Sequence, residues 1–120
     1  MEKELIKYFL PKDILSHYII TKVSEILDKE SQAAVLRIEL EEINKIPEGY
    51  DASQYESKGF YSIKEIQDYP IRDKAVLLAV KRRRWRNKKN KDEEIHSAYT
   101  FIAEGARITQ DLSDFLKEGD

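Results

Sequence analysis

Apolar side chains take every second position in residues 34–41, where Ala34, Leu36, Ile38 and Leu40 alternate with mostly polar neighbours. A period of two predicts a half-buried strand. In residues 18–27 the apolar positions Ile19, Val23, Ile26 and Leu27 fit a helical face as well as a strand. The β-branched content and the short polar break Asp28-Lys29-Glu30-Ser31 favour a hairpin with the strand that follows. Residues 60–69 and 74–86 read as a second strand pair, joined by the turn Pro70-Ile71-Arg72-Asp73.

Helical spacing is confined to the ends. Residues 2–10 place Leu5, Ile6, Phe9 and Leu10 on one face, and Pro11 opens a second short helical turn through Ile14 and Leu15. Thr109 offers an N-cap for a helix over 110–117, with Leu112, Phe115 and Leu116 together. Pro47, Gly49, Asp51, Ser53 and Ser57 mark 44–58 as a loop. Residues 87–94 form a charged tip, and 98–103 return as a strand. The expected fold class is α+β: a short N-terminal helix, antiparallel β-hairpins and a C-terminal helix. A chain of 120 residues holds one domain. Within it, 1–46 carry the helix and first hairpin, 58–108 a basic hairpin ribbon, and 109–118 the last helix.

Composition changes this picture only when it is cut by position. The net charge is −2 overall, which suggests no particular partner. Residues 1–70 carry −5, residues 71–91 carry +9 and residues 92–120 carry −6. A basic stripe therefore lies between two acidic flanks. Hydrophobic residues make up 41% and aromatics 10%, enough for a packed core and against disorder. Cysteine is absent, which excludes disulfides and thiolate metal sites and fits a reducing compartment. No apolar run is long enough to span a membrane. The charged start Met1-Glu2-Lys3-Glu4 is unlike a signal peptide, so the expected location is the cytoplasm.

The stripe centres on Lys81-Arg82-Arg83-Arg84-Trp85-Arg86-Asn87-Lys88-Lys89-Asn90-Lys91, in which eight of eleven residues are cationic. It follows the apolar run Val76-Leu77-Leu78-Ala79-Val80, so one strand is expected to leave the core and run into solvent as a charged finger. Alternate side chains of a strand lie about 6.5–7 Å apart on the same side. Arg82, Arg84 and Arg86 then form one row, and Lys81, Arg83 and Trp85 the other. A guanidinium row at that spacing matches successive phosphates, and a two-stranded ribbon fits the major groove of DNA. Trp85 either stacks on a base or sugar or anchors the ribbon on the core. The competing reading is a solvated tip whose arginines pair with acidic neighbours such as Glu93 and Glu94. Close cations repel one another, and only a polyanion or an acidic protein face relieves that repulsion fully.

Other signals are weak. His17 and His96 lack partners at any catalytic or ligand spacing, and both read as structural or exposed. Asp92-Glu93-Glu94 with His96 is an acidic turn rather than a metal cluster. Glu39, Glu41 and Glu42 lie on or near an exposed strand face and do not converge. Glycine occurs only four times, and no phosphate loop or hydrolase motif is present. Tyr61, Tyr69 and Tyr99 read as hairpin and core packing. No catalytic residue, metal or cofactor is expected.

An ordered set of segments adds a resemblance. Lys58-Gly59-Phe60-Tyr61, Ile66-Gln67-Asp68-Tyr69-Pro70-Ile71, residues 74–80, Arg82-Arg83-Arg84-Trp85-Arg86 and Gly105-Ala106-Arg107-Ile108-Thr109 follow one another. The set resembles the N-terminal region of bacterial insertion-sequence transposases of the ISL-three and ISAon type. It covers 58–117 and extends loosely to Tyr8-Phe9-Leu10-Pro11. In many relatives the basic strand enters a Cys-x-x-Cys knuckle of a zinc ribbon, where this chain has Asn87 and Asn90. The resemblance thus implies a zinc-ribbon-like fold without its metal. Stability then falls to the hydrophobic core and first hairpin. A helix-turn-helix segment and a DDE-type catalytic domain follow in the family, and their positions are absent here.

The expected function is a DNA-binding transposase module, probing transposon ends beside a catalytic subunit supplied in trans. Lys81, Arg82, Arg83, Arg84, Trp85, Arg86, Lys88, Lys89 and Lys91 are the expected contacts. The alternatives are a protein-interaction module using the acidic flanks and the Leu112, Phe115 and Leu116 face, or a general binder of RNA or single strands. A hydrolase is more remote.

Overall fold

A computed structural model describes residues 6–10 and 12–98. The expected C-terminal helix at 110–117 and most of the strand at 98–103 lie outside the described residues. A 3-10 turn, Lys7–Phe9, precedes helix α1 (Lys12–His17). Seven strands follow: β1 (Tyr18–Leu27), β2 (Ala34–Glu42), β3 (Tyr55–Phe60), β4 (Lys64–Ile71), β5 (Lys74–Lys81), β6 (Arg83–Asn87) and β7 (Glu94–Ile95). They form a four-stranded sheet in the order β1-β2-β5-β4 and a three-stranded sheet in the order β3-β6-β7.

The first hairpin is as the alternation predicts. β1 and β2 pair antiparallel from Tyr18↔Glu42 to Leu27↔Ala34, so the ambiguous segment is a strand. The inner face of β2 presents Leu36, Ile38 and Leu40, which join Val76, Leu78 and Val80 of β5 and Ile66 of β4. Ile6, Leu10 and Ile14 from the helical N-terminal region complete this core. Each fully buried aliphatic side chain stabilises the fold by about 1.5–3 kcal/mol. Phe9, expected on the same face, is 55% exposed, because the chain turns through 3-10 geometry there.

Several boundaries differ from expectation. β2 and β5 pair in parallel, so the larger sheet is mixed rather than a set of antiparallel hairpins. Side-chain alternation reveals which face is buried but carries no strand direction. The loop expected over 44–58 ends early, because Tyr55–Phe60 forms β3. Pro70 and Ile71 belong to β4, an edge strand where a missing N–H is tolerated, and only Arg72 and Asp73 make the turn. The return strand is the short β7, and Ser97 and Ala98 lie beyond it.

The expected continuous strand over 74–86 breaks at Arg82, which lies between β5 and β6. The opposing chain breaks at the same level, between β3 and β4, and the Tyr61 N–H donates to the Arg82 carbonyl at 2.9 Å across the gap. Residues 55–71 and 74–87 are thus one long bent hairpin. Its lower half belongs to the large sheet and its upper half to the small one.

The buried carboxylate of Glu42, at the end of β2, joins the halves. It accepts from the Arg83 N–H at 2.9 Å and from the Ser97 hydroxyl at 2.5 Å. The Glu42 carbonyl accepts from Arg83 Nε at 3.3 Å.

Candidate nucleic-acid interface

The upper half of the hairpin carries the basic segment, and strand alternation sorts its side chains. Trp85 points inward. It is 1% exposed and packs with Tyr55, Ile95 and Ile46. Its indole N–H donates to Asn44 Oδ1 at 2.9 Å. Of the two roles open to this residue, the structure gives it anchoring. A ring this buried has no face to offer a base, which removes Trp85 from the set of direct contacts. The expected solvated finger is likewise corrected: β6 sits between β3 and β7 over its own small core.

Arg84 and Arg86 point outward. Arg84 donates to Glu94 Oε1 from Nη2 at 2.7 Å and from Nε at 3.1 Å. The same oxygen lies 3.5 Å from Lys58 Nζ. Arg86 Nε donates to Glu56 Oε1 at 3.0 Å. The anticipated pairing of arginines with acidic neighbours is therefore present for Arg84. The hydrogen bond from Arg84 holds the Glu94 carboxyl below the usual glutamate range.

The two rows expected along the strand survive the break at Arg82, and each row has an aromatic partner. Lys81 and Arg83 lie over the Phe60 ring, at 5.8 and 4.5 Å from its centroid. Arg82 and Arg84 lie against the Tyr61 ring, at 5.5 and 5.2 Å. Cations over ring faces are attracted by the aromatic quadrupole. Arg83 also donates to Ser57 Oγ at 2.8 Å, and Arg82 Nη2 reaches the Ser97 carbonyl and His96. These contacts fix the arginine stems along the ribbon.

At the tip, Asn87 and Asn90 occupy the positions where the resemblance places a cysteine pair. Asn87 Oδ1 accepts from the N–H groups of Lys89 at 2.9 Å and Asn90 at 3.1 Å. Asn90 Oδ1 accepts from the Asp92 N–H at 3.3 Å, and the Asn87 N–H donates to the Glu93 carbonyl at 2.9 Å. Hydrogen bonds close this turn. Outside it, the Lys88 N–H donates to the Gln54 carbonyl at 2.8 Å, tying the tip to a 3-10 turn capped by Asp51. The Tyr55 hydroxyl donates to Glu93 Oε1 at 2.5 Å, and that carboxylate raises the phenol above its usual range.

The lysine side chains are left outward. Lys81, Lys88, Lys89 and Lys91 are all exposed, and among the described residues none has an ion-pair partner. No group of three or more His, Cys, Asp or Glu side chains suited to a metal occurs among the described residues. No described helix is long and apolar enough to cross a membrane. A cleft of about 370 Å³ is lined by His17, Glu42, Lys45, Glu48 and Ser97 among others, and Glu42 there is already hydrogen-bonded at both carboxylate oxygens.

Sequence reasoning missed Lys58, Glu56, Phe60 and Tyr61 as parts of this surface. Their relevance depends on the register of β3 against β6, which pairs Glu56 with Arg86 and Gly59 with Arg84. Lys58 is the extra residue of a bulge, and Gly59 beside it has φ 104, a conformation natural to glycine. The motif Lys-Gly before two aromatics was the available signal. No family model matches the chain, and no curated protein or solved structure matches it.

Proposed function

We propose that this chain binds duplex DNA through the outer surface and tip of the β3-β6-β7 ribbon. It would serve as a non-catalytic DNA-binding module of an insertion-sequence transposase, with transposon-end DNA as its ligand and the catalytic domain supplied by another chain. The observation that carries the DNA reading is the set of four exposed lysines without ion-pair partners, Lys88, Lys89 and Lys91 at the tip of a ribbon braced by Trp85 and Asn87, and Lys81 at the end of β5 beneath it. Unneutralised charge on a rigid backbone support is what a phosphate backbone rewards, since only the lysine side chains remain to be ordered at binding. Arg84 and Arg86 add two guanidinium groups in partly exposed ion pairs. Such pairs are worth only about 0–1 kcal/mol and exchange readily for phosphate.

A duplex suits this surface better than a single strand. Single-strand binders stack bases on free aromatic faces. Here Trp85 is buried, and Phe60 and Tyr61 are each engaged by two cations. The transposase assignment adds the resemblance of residues 58–117 to this surface.

Fluorescence anisotropy of a labelled duplex titrated with the protein tests the proposal. If the four lysines each neutralise one phosphate, log K falls with log salt at a slope of about −3.6. An unlabelled duplex should compete better than a single strand of the same sequence. No binding at low salt would sink the DNA reading.

A further inference from the structure

The geometry points to a phosphate subsite formed by Lys58 and Arg84, in which the chain's own Glu94 carboxylate competes with the DNA. This rests on the proposed DNA-binding surface and names residues and a control within it. One oxygen, Glu94 Oε1, is held by Arg84 Nη2 at 2.7 Å, Arg84 Nε at 3.1 Å and Lys58 Nζ at 3.5 Å. Three nitrogens converging on one anionic oxygen make the arrangement that a phosphodiester oxygen also seeks, with the guanidinium able to engage in a bidentate way. Glu94 here stands where a backbone phosphate would sit.

Two features of the fold build the clamp. The bulge at Lys58 throws an extra residue out of β3, and Gly59 with φ 104 permits it. The bulge sets Lys58 and Gly59 together across from Arg84, with Lys58 Nζ turned to the same Glu94 oxygen. Tyr61 then holds the Arg84 guanidinium from the other side, at 5.2 Å from its ring centroid. The clamp is accessible: the side chains of Lys58, Arg84 and Glu94 are 36%, 30% and 33% exposed. An exposed carboxylate can swing into solvent when a stronger anion arrives, whereas a buried one could not leave cheaply.

The consequence is selective. A lone or weak anion must break the Glu94 contacts and gains little. A phosphate presented on a duplex already held by the lysine tip arrives at high effective concentration and displaces the carboxylate. Glu94 therefore lowers binding to stray anions more than binding to DNA.

The test compares wild-type protein with Glu94→Gln, with Lys58→Ala/Glu94→Gln and with Glu30→Gln, all against the same labelled duplex. Glu30 lies in the exposed β1–β2 turn of the other sheet and reports the general effect of removing one negative charge. Glu94→Gln should bind about two- to fivefold more tightly, the equivalent of an exposed ion pair that no longer has to be broken. Its salt slope should match wild type, because the same phosphates are neutralised in both proteins once the carboxylate is displaced. Glu30→Gln should match wild type, because charges beyond a Debye length are screened. Removing Lys58 in the Glu94→Gln background should erase the gain. If wild type binds and Glu94→Gln gains no more than Glu30→Gln, or keeps its gain without Lys58, the clamp is wrong while the DNA surface stands. If neither wild type nor Glu94→Gln binds at low salt, the DNA surface itself fails. Inorganic phosphate as competitor should weaken duplex binding by Glu94→Gln at lower concentrations than it weakens wild type. Equal sensitivity would contradict the selective role.

Discussion

Replacing Trp85 with phenylalanine separates the two roles a tryptophan in a basic strand can have. The side chain is 1% exposed and packs against Tyr55, Ile95 and Ile46. Phenylalanine keeps the six-membered ring but buries roughly 50 Å² less, a loss of about 1.2 kcal/mol. The indole hydrogen bond to Asn44 Oδ1 at 2.9 Å is lost as well, worth about 1 kcal/mol. Asn44 is exposed, so its oxygen turns to water and no buried acceptor is stranded. The expected cost is about 2 kcal/mol, or a fall in Tm of roughly 6–12 °C for a domain of this size. Thermal unfolding by circular dichroism measures it. Below the transition the variant should bind duplex within about twofold of wild type, since no base contact is removed. The chain has a single tryptophan, so its fluorescence gives a second reading: blue-shifted, poorly quenched by iodide and barely changed by DNA. An unchanged Tm together with a large loss of affinity, or strong quenching by DNA, would refute the anchoring role.

Two further predictions follow from local geometry. Arg84 holds the Glu94 carboxyl below its usual pKa, so the stability this pair contributes is present above the usual glutamate range and lost as pH falls through the lower folded value. A carbon-13 NMR titration of Glu94 should show the depressed value, and Arg84→Gln should return it upward; an identical midpoint in both proteins would exclude the contact. Arg72 holds φ 59 in the two-residue turn between β4 and β5, so Arg72→Gly should relieve a left-handed conformation and stabilise by about 0.5–1 kcal/mol in urea unfolding, and a destabilisation would show that the arginine side chain supports the turn.

Much of this architecture is legible in the sequence because alternation is a direct image of burial. Leu36, Ile38 and Leu40 face the core as their spacing dictates, and Arg84-Trp85-Arg86 shows the same out-in-out pattern on a smaller scale. The parallel pairing of β2 with β5 was not legible, since periodicity is the same for either strand direction. The break at Arg82 was hidden because residues 74–86 have strand-compatible composition throughout; it is matched by a break between β3 and β4 on the opposing segment. β3 was concealed by Asp51, Ser53 and Ser57, which mark a loop, yet Ser57 pairs with Trp85 in the strand and accepts from Arg83. The charge segmentation found the cationic ribbon. Nearness in sequence pointed to Glu94 as a partner of the arginines, and Arg84 takes it, but Glu56 as the partner of Arg86 was not legible, because that pair is set by cross-strand register.

The central claim is that unpaired lysines at a braced tip bind DNA phosphates. It is tested most directly by the salt dependence of duplex affinity for wild type and for Lys88→Ala/Lys89→Ala/Lys91→Ala. The substituted side chains are exposed, so the variant should keep the wild-type Tm within about 2 °C. Its slope of log K against log salt should shrink from about −3.6 to about −0.9, with weaker binding at every salt concentration. An unchanged slope with unchanged affinity would contradict the account.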